Sequence, residues 1–363
     1  MWTKPTFMRF FTLCFLTILL IRGALLLHPA EAESGSNVAL QYNALQDTDV
    51  VTVYSSRSEV QSVFDEFTEK TGVKVNLIHG SGDDLLGRIK EEGVAVQADL
   101  FLVKNLGTLL LAKQKGLLAA VNNPFEIENN IPEYARDPEG YWYGLGYDLL
   151  GICYAKDRVT EEELSSYAAL VDKKWHGKIL VGPSTDISTQ MLLASIIQAT
   201  GEEESRAWAT GIVANMAGVP QNSGYKRLHN IAAGEADLAI VSNTVFMQLK
   251  ESNEVKDRMA SQKLGMFYPG KELRGSFINI NGGAITTYAR NRSNAAKLLI
   301  FLSEKEVQEQ WAKKSYSYPL HLEAKIYANL ISKESFLLDT APVFKLDSYL
   351  SNVRKILQKV GWR

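Results

Sequence analysis

The sequence predicts an α/β protein that folds as two lobes with a ligand cleft between them. Short β-branched runs alternate with amphipathic helical segments, this alternation stops near residue 140 in an aromatic and glycine-rich stretch, and it then resumes. Strands that alternate with helices indicate a parallel sheet and an α/β architecture. A stretch that separates two such series is expected to cross from one lobe to the other.

The first series contains three strands, each followed by a helix. In its first helix Val60, Val63, Phe64 and Phe67 recur at helical spacing, and Gly72 follows the last turn, where glycine commonly ends a helix. The predicted strands are residues 49–54, 73–78 and 98–103, and the predicted helices are residues 59–71, 83–92 and 106–115.

The second series begins after residues 141–154, which we expect to form one or two strands between the lobes. Residues 265–268 and 276–280 are extended segments that return toward the first lobe. The other predicted strands are residues 179–182 and 236–241, and the predicted helices are residues 189–200, 203–215, 225–233, 293–302, 304–312 and 347–360.

This layout is that of a periplasmic binding protein, in which a hinge closes two lobes around a ligand. Glycines occur at both crossings, and Gly144, Gly146 and Gly275 are the expected hinge residues because glycine absorbs backbone changes at little steric cost. The predicted domains are an N-terminal lobe of residues 49–145 plus 276–345, a C-terminal lobe of residues 146–275, and a C-terminal helix in residues 346–363.

The first 32 residues have the features of a signal peptide. Two basic residues precede an apolar run at residues 10–21, and Ala30-Glu31-Ala32 supplies the small residues of a cleavage site. We expect cleavage after Ala32, a flexible leader at residues 33–48 and a periplasmic location. The alternative is an uncut membrane anchor, but Arg22 interrupts the apolar run.

Composition argues against several classes of function. The 363 residues include 39 basic and 41 acidic side chains, so no basic excess exists to neutralise the phosphates of a nucleic acid. Cys153 is the one cysteine that remains after the predicted cleavage, which excludes an intramolecular disulfide. No sequence motif of a metalloprotease, an α/β-hydrolase or a P-loop nucleotide-binding protein occurs. We therefore expect a monomer that is not an enzyme and needs no cofactor.

Four strand-to-helix turns carry small hydroxyl or amide residues. Ligands bind α/β sheets beyond the carboxyl ends of strands, where helix N-termini offer free N–H groups. The same residue types are preferred helix caps, so each turn has two interpretations. Four turns, two in each lobe, together predict one anion site in the cleft. The candidate ligand-binding residues are Ser55, Ser56, Arg57, Ser81, Ser184, Thr185, Ser188, Thr189, Asn222 and Ser223.

Short segments in collinear order carry a family resemblance. They include VYSSR at 53–57, FTEKTGVKV at 67–75, LLGRIKEE at 85–92, KWHGK at 174–178, GEAD at 234–237, NINGG at 279–283 and YPL at 318–320. Together they resemble the ferric-iron-binding periplasmic protein family, the substrate-binding components of iron ABC importers. The resemblance implies the two-lobed fold and a permease in the inner membrane as partner.

The resemblance fails at the positions that hold iron. The family binds Fe(III) through tyrosine phenolates, and its adjacent tyrosine pair aligns with Val245-Phe246. A His-Tyr pair of the family aligns with Ser58-Glu59, and a further tyrosine aligns with Ser188. An arginine that holds a synergistic anion in the family aligns near Asp148 or Leu150.

The expected ligand is therefore a small oxyanion or a phosphorylated organic solute, such as a sugar phosphate or a phosphonate, bound without a metal. Hydroxyl, amide and backbone N–H donors suit such anions. One alternative is Fe(III) with a carbonate or citrate partner, for which Tyr147, Tyr154 and Tyr225 are the remaining phenolates. A second alternative is a periplasmic ligand sensor for a membrane kinase.

Overall fold

The strands of the computed structural model form one mixed sheet system in which β5 is the shared member. The structure describes residues 49–269, 275–330 and 336–363, so the predicted signal peptide and flexible leader lie outside the described residues. The strands are β1 Val50–Ser55, β2 Lys74–His79, β3 Leu100–Val103, β4 Leu118–Ala119, β5 Tyr143–Ala155, β6 Ile179–Leu180, β7 Leu238–Ser242, β8 Leu264–Phe267 and β9 Ile278–Thr286.

Helices connect and cover these strands. The α-helices are α1 Gln61–Thr71, α2 Gly82–Glu92, α3 Leu106–Gln114, α4 Phe125–Asn130, α5 Ile187–Thr200, α6 Glu202–Asn215, α7 Gly224–Ala232, α8 Asn243–Lys250, α9 Val255–Gln262, α10 Arg292–Ser303, α11 Lys305–Ser315 and α12 Leu350–Lys359. Short 3₁₀ segments are Gly93–Ala95, Glu133–Ala135, Glu161–Glu163, Ala168–Val171, Lys173–Trp175 and Val343–Tyr349.

The strand order is β2-β1-β3-β9-β5-β7-β6, with β4 on β9 and β8 on β5. β1 pairs in parallel with β2 and β3, and β6 pairs in parallel with β7. The described pairings of β5 and β9 are all antiparallel. The prediction of a parallel sheet is therefore wrong for the middle of the molecule, because the two strands that join the strand series run against their neighbours.

β5 is the segment that the sequence predicted as one or two strands, and it is one. All thirteen of its residues are buried, and it pairs with β9 from Tyr143 to Leu149 and with β7 and β8 from Leu150 to Ala155. A strand buried along its whole length shows no polar alternation, which explains its nearly continuous apolar sequence.

Two helices beyond β7 were not predicted from the sequence. α8 begins where the Ser242 hydroxyl accepts a bond from the Val245 N–H at 3.4 Å. The buried Asn243 amide accepts from the Leu149 N–H and donates to the Tyr316 carbonyl, both at 2.7 Å. These long-range bonds favour the helix over a strand, which β-branched Thr244 and Val245 would otherwise suit.

Asp47–Arg363 forms one compact unit, so the boundaries of the two lobes stay a prediction. Within the three described ranges, no helix combines the length and the apolar character that a membrane span requires.

The predicted hinge glycines differ in backbone conformation. Gly275 has a φ of 98°, whereas neither Gly144 nor Gly146 has a positive φ. A Cβ on Gly144 would lie 2.6 Å from Leu320 Cδ1 and 2.7 Å from the Ala135 carbonyl oxygen. Close packing therefore accounts for glycine at position 144, and a hinge role for the three glycines stays a prediction.

We expect Gly144→Ala to lower the free energy of unfolding by about 1–3 kcal/mol, because the added methyl has no space beside β9. Urea denaturation measures this change. Gly218→Ala is the control, since no atom lies within 4 Å of its added Cβ. Equal stability of the two variants would contradict the packing argument.

Candidate functional site

A cavity of about 250 Å³ lies where residues that follow β1, β3, β6 and β7 meet β5 and β9. This placement agrees with the general rule that ligands bind beyond the carboxyl ends of strands in α/β sheets. The lining residues are Arg57, Glu59, Lys104, Asn105, Asp148, Leu150, Val181, Gly182, Asp186, Ser188, Thr189, Leu192, Trp208, Asn222, Gly224, Arg227, Ile240, Val241, Ser242, Thr244, Val245, Gln248, Asn279, Ser315 and Trp362.

Arg57 is held rigidly in the turn after β1. Its side chain is only 3% exposed, its guanidinium Nη1 donates to Glu59 Oε1 at 2.6 Å, and its charge lies 5.6 Å from the centroid of the Trp311 ring. Burial alone would raise the pKa of Glu59, but the Arg57 guanidinium, a backbone hydrogen bond and Lys104 together lower that pKa. The turn therefore presents an internally paired charge to the cavity.

Asp148 and Asn279 lie directly opposite each other on β5 and β9. Their side chains are buried, and one oxygen of each, Oδ1, has no hydrogen-bond partner in the described protein. Burial raises the pKa of Asp148 to about 6, although Arg57 and Lys104 favour its charged form. The site thus contains acceptor oxygens that the protein itself leaves unsatisfied.

Arg227 on α7 brings a second buried guanidinium to the cavity. It donates to the carbonyl oxygens of Gln221 and Ile240, and no carboxylate of the described residues lies within ion-pair distance of it. Burial lowers the pKa of Arg227, and the charge of Asp186 opposes this shift. A desolvated cation without a counter-ion favours binding of an anion from solution.

Two indole rings form an apolar wall of the same cavity. Trp208 on α6 donates from its ring N–H to the Tyr167 carbonyl at 2.7 Å, and Trp362 donates to the Gly182 carbonyl at 2.9 Å. The ring centroids lie 6.1 Å apart. The cavity therefore combines charged side chains with an aromatic wall.

The structure brings four of the predicted ligand-binding residues to the cavity. Arg57, Ser188, Thr189 and Asn222 all line it. The Asn105 amide donates to Ser188 Oγ at 2.9 Å, which joins the turn after β3 to the first turn of α5. Their contact with a solute stays a prediction.

Other predicted residues use their hydroxyls inside the protein. Ser55 is fully buried, accepts from the Arg57 N–H at 2.9 Å and donates to the Arg57 carbonyl at 3.1 Å. Ser81 caps α2 by accepting from the Asp84 N–H at 3.1 Å, and Ser223 caps α7. None of these three serines lines the cavity, so local capping explains them.

The remaining predicted residues line neighbouring cavities. Ser56 accepts from the Lys104 N–H at 2.9 Å, and it shares with Ser81 a cavity of about 630 Å³. Ser184 and Thr185 face a cavity of about 410 Å³ beside the chain end at Arg363. The four turns therefore do not all converge on one site.

The three candidate phenolates lie away from the cavity lining. Tyr147 is buried and stacks on Tyr318, Tyr154 lies 3.5 Å from Glu161, and Tyr225 donates to a carboxylate on α9. Burial, the largest cause in each case, raises the pKa of all three. Their hydroxyls are therefore poorly disposed to ionise and bind a metal.

Sequence reasoning missed several cavity residues. Arg227 lies inside a segment predicted only as an amphipathic helix, and Asp148 lies within a buried strand. A lone charge among apolar residues was the available signal for Asp148, whereas Arg227 follows Lys226 and gave no such signal. Trp208 and Trp362 gave no signal, because their approach depends on how the chain end packs beside β6.

Comparison with known proteins matches residues 62–325 to the family model described as bacterial extracellular solute-binding protein. "Iron uptake protein A1" of Synechocystis sp. is 36% identical over 316 residues, which are 86% of this chain and 87% of that protein. "Fe(3+)-binding periplasmic protein" of Serratia marcescens is 24% identical over 71% of this chain and 75% of its own length.

A solved structure from Trichodesmium, described as IdiA or FutA in complex with iron and citrate ligands, has a TM-score of 0.82. It is 34% identical, and the alignment covers 86% of this chain and 100% of that one. This similarity confirms the predicted fold class of two lobes around a cleft.

We expect Asp148→Asn to change how stability depends on pH. Above about pH 6 the parent carries the full cost of a buried carboxylate, about 3 kcal/mol, and this cost disappears as the pH falls below 3.8, the ordinary pKa of aspartate. The variant should therefore be more stable than the parent at neutral pH, with a difference that shrinks in acid.

Urea denaturation between about pH 4 and pH 8 tests this expectation. Arg57, Lys104 and Glu59 are the charged groups that act on Asp148, and they are unchanged in the variant. Asp65→Asn, at an exposed aspartate, is the control and should leave the pH profile of the parent unaltered. A pH-independent difference for Asp148→Asn would contradict the raised pKa.

Proposed function

The chain belongs to the bacterial extracellular solute-binding protein family, and from that premise we propose that it delivers ferric iron, held as an anionic carboxylate chelate, to an ABC importer. Membership confirms the resemblance noted in the sequence. The relatives reported above are solute-binding proteins rather than enzymes. The proposal concerns the identity of the solute.

The names of the relatives support iron as the cargo. "Iron uptake protein A1" is 36% identical, and the similar solved structure contains iron together with citrate. These relatives favour Fe(III), which the sequence analysis placed second, over the phosphorylated solute that it placed first. The sensor interpretation gains no comparable support.

The lining of the cavity argues that iron arrives with its own ligands. Of the described residues that line it, none is tyrosine, histidine or cysteine, and positions aligned with family tyrosines are Glu59, Ser188 and Val245. The described residues also hold no group of three histidine, cysteine, aspartate or glutamate side chains that could bind a metal ion. Fe(III) prefers hard oxygen donors, which a polycarboxylate chelator supplies.

The observation that carries the proposal is Arg227, a buried guanidinium with no carboxylate partner among the described residues. A cation removed from water is costly unless an anion pairs with it. An anionic chelate would supply that partner, and exposed Lys104 would attract it into the cavity.

The proposed function also implies where the protein works and which partner it meets. The protein would work as a monomer in the periplasm after cleavage behind Ala32, and an inner-membrane permease would receive the loaded form. Closure of two lobes about the segments that contain Gly144, Gly146 and Gly275 would distinguish loaded from empty protein.

We expect ferric citrate to bind in a one-to-one ratio in equilibrium dialysis with radioactive iron. The complex should lack the visible absorption band of a tyrosine phenolate bound to iron, because no tyrosine lines the cavity. A red-brown complex with that band would contradict the chelate. Binding of a hexose phosphate but not of ferric citrate would instead support the phosphorylated solute that the sequence predicts.

Arg227→Gln should weaken ferric citrate binding at least about tenfold, since it removes a charged donor from the cavity. Arg206→Gln, on the exposed side of α6, makes the same change of charge outside the cavity and is the matched control. Equal weakening by both variants would indicate long-range attraction rather than contact.

We expect ferric citrate to reduce the radius of gyration in small-angle X-ray scattering, because a solute held between lobes stabilises the closed form. Gly275→Ala should impair this change, since alanine is strained at a φ of 98°. An unchanged radius at saturation would show that the cavity binds its solute without closure.

A further inference from the structure

Two residues with unsatisfied acceptor oxygens, Asp148 and Asn279, lie opposite each other at the β5–β9 side of the cavity. Asp148 and Asn279 are 5% and 6% exposed, and both line the cavity. Because they are directly opposed on antiparallel strands, their side chains lie on the same face of the sheet. One oxygen of each side chain has no partner in the described protein.

The orientation of Asn279 is set by a bond on its other side. Its amide nitrogen donates to the Lys104 carbonyl at 2.9 Å, so the amide oxygen is the atom left without a protein donor. Asp148, when ionised, is only an acceptor. The pair therefore offers acceptors and requires donors.

Nearby charged groups influence whether Asp148 is ionised and can act only as an acceptor. Arg57, Lys104 and a hydrogen bond from the Asn279 side chain favour the ionised form of Asp148, while burial and Glu59 oppose it. Arg57 already donates to Glu59 at 2.6 Å. The described protein supplies no donor to either oxygen and buries both from solvent, so a solute that reaches them must bring its own O–H or N–H donor to bind well.

We propose that the solute presents an O–H or N–H donor to the Asp148–Asn279 pair, in addition to the anionic group that Arg227 binds. This inference rests on the proposed binding of an anion and narrows the class of solute. It selects hydroxylated or zwitterionic anions, or a chelate with a metal-bound water, over anions that carry acceptors alone.

Matched pairs of probes separate these sources of the donor. Citrate is compared with tricarballylate, which lacks the hydroxyl, and aminoethylphosphonate is compared with ethylphosphonate, which lacks the ammonium group. Ferric citrate represents the metal-bound source. Calorimetry should show at least about tenfold tighter binding of the donor-bearing member in one pair or more, or binding of ferric citrate alone.

Asp148→Leu tests the acceptor directly. The variant should no longer bind the donor-bearing probe of a pair more tightly than the other, or its affinity for ferric citrate should fall at least about tenfold. Asn281→Leu is the control, because Asn281 is also buried without a side-chain partner on β9 but does not line the cavity. It should bind the probes as the parent does.

Stability without solute provides a second, independent measurement. If Asp148 serves binding rather than folding, solute-free Asp148→Leu should unfold at a higher temperature than the parent, because an unsatisfied buried acid is removed. If it fails to fold, Asp148→Asn replaces it, with the same expected direction.

The outcomes separate this inference from the proposed function. Equal binding of the two members in every pair that the parent binds, or a preference that Asp148→Leu retains, would overturn the donor requirement while leaving anion binding intact. If the parent binds none of the probes, the proposed function fails. The unfolding temperatures of the Asp148 variants then test the inference about Asp148. A lower temperature for both Asp148 variants would overturn the inference, and a higher one would support it.

Discussion

Antiparallel pairing of β5 with β9 is the interaction on which the rest of the molecule depends. β5 joins β9 along its first half and β7 and β8 along its second half, so one buried strand belongs to both groups of strands. The close approach leaves no room for a Cβ on Gly282, where it would lie 2.4 Å from the Tyr143 carbonyl oxygen. Tight backbone contact thus places Asp148 and Asn279 side by side at the cavity.

The desolvation of buried charged side chains is the main energetic feature of the cavity. Arg57 is compensated by Glu59, whereas Arg227 is bonded only to backbone carbonyls in the described protein. Asp148 is buried deeply enough to raise its pKa to about 6. An arrangement of one buried cation without an ion pair and unsatisfied acceptors among the described residues is poor for stability, and it suits a solute that carries both an anion and a donor.

The replacement of side chains at the aligned positions gives the cavity a different ligand chemistry from that of the iron-binding family. Glu59, Ser188 and Val245, which the sequence resemblance aligns with tyrosines of that family, line the cavity. Under the proposed function, contacts with the outside of a chelate would replace a direct iron–phenolate bond. This exchange reconciles relatives named for iron with a lining that has no tyrosine among its described residues.

Local patterns in the sequence determined most strands and helices, because burial of one helix face or one whole strand is recorded in residue periodicity. They also determined the family, and four of the cavity residues at strand-to-helix turns. Capping and ligand binding use the same serines, so only the structure decided that Ser55, Ser81 and Ser223 bond to nearby backbone. Only the tertiary structure brings Arg227, Asp148 and Trp362 to one cavity. These side chains come from separate elements, and periodicity within one segment carries no information about distant partners.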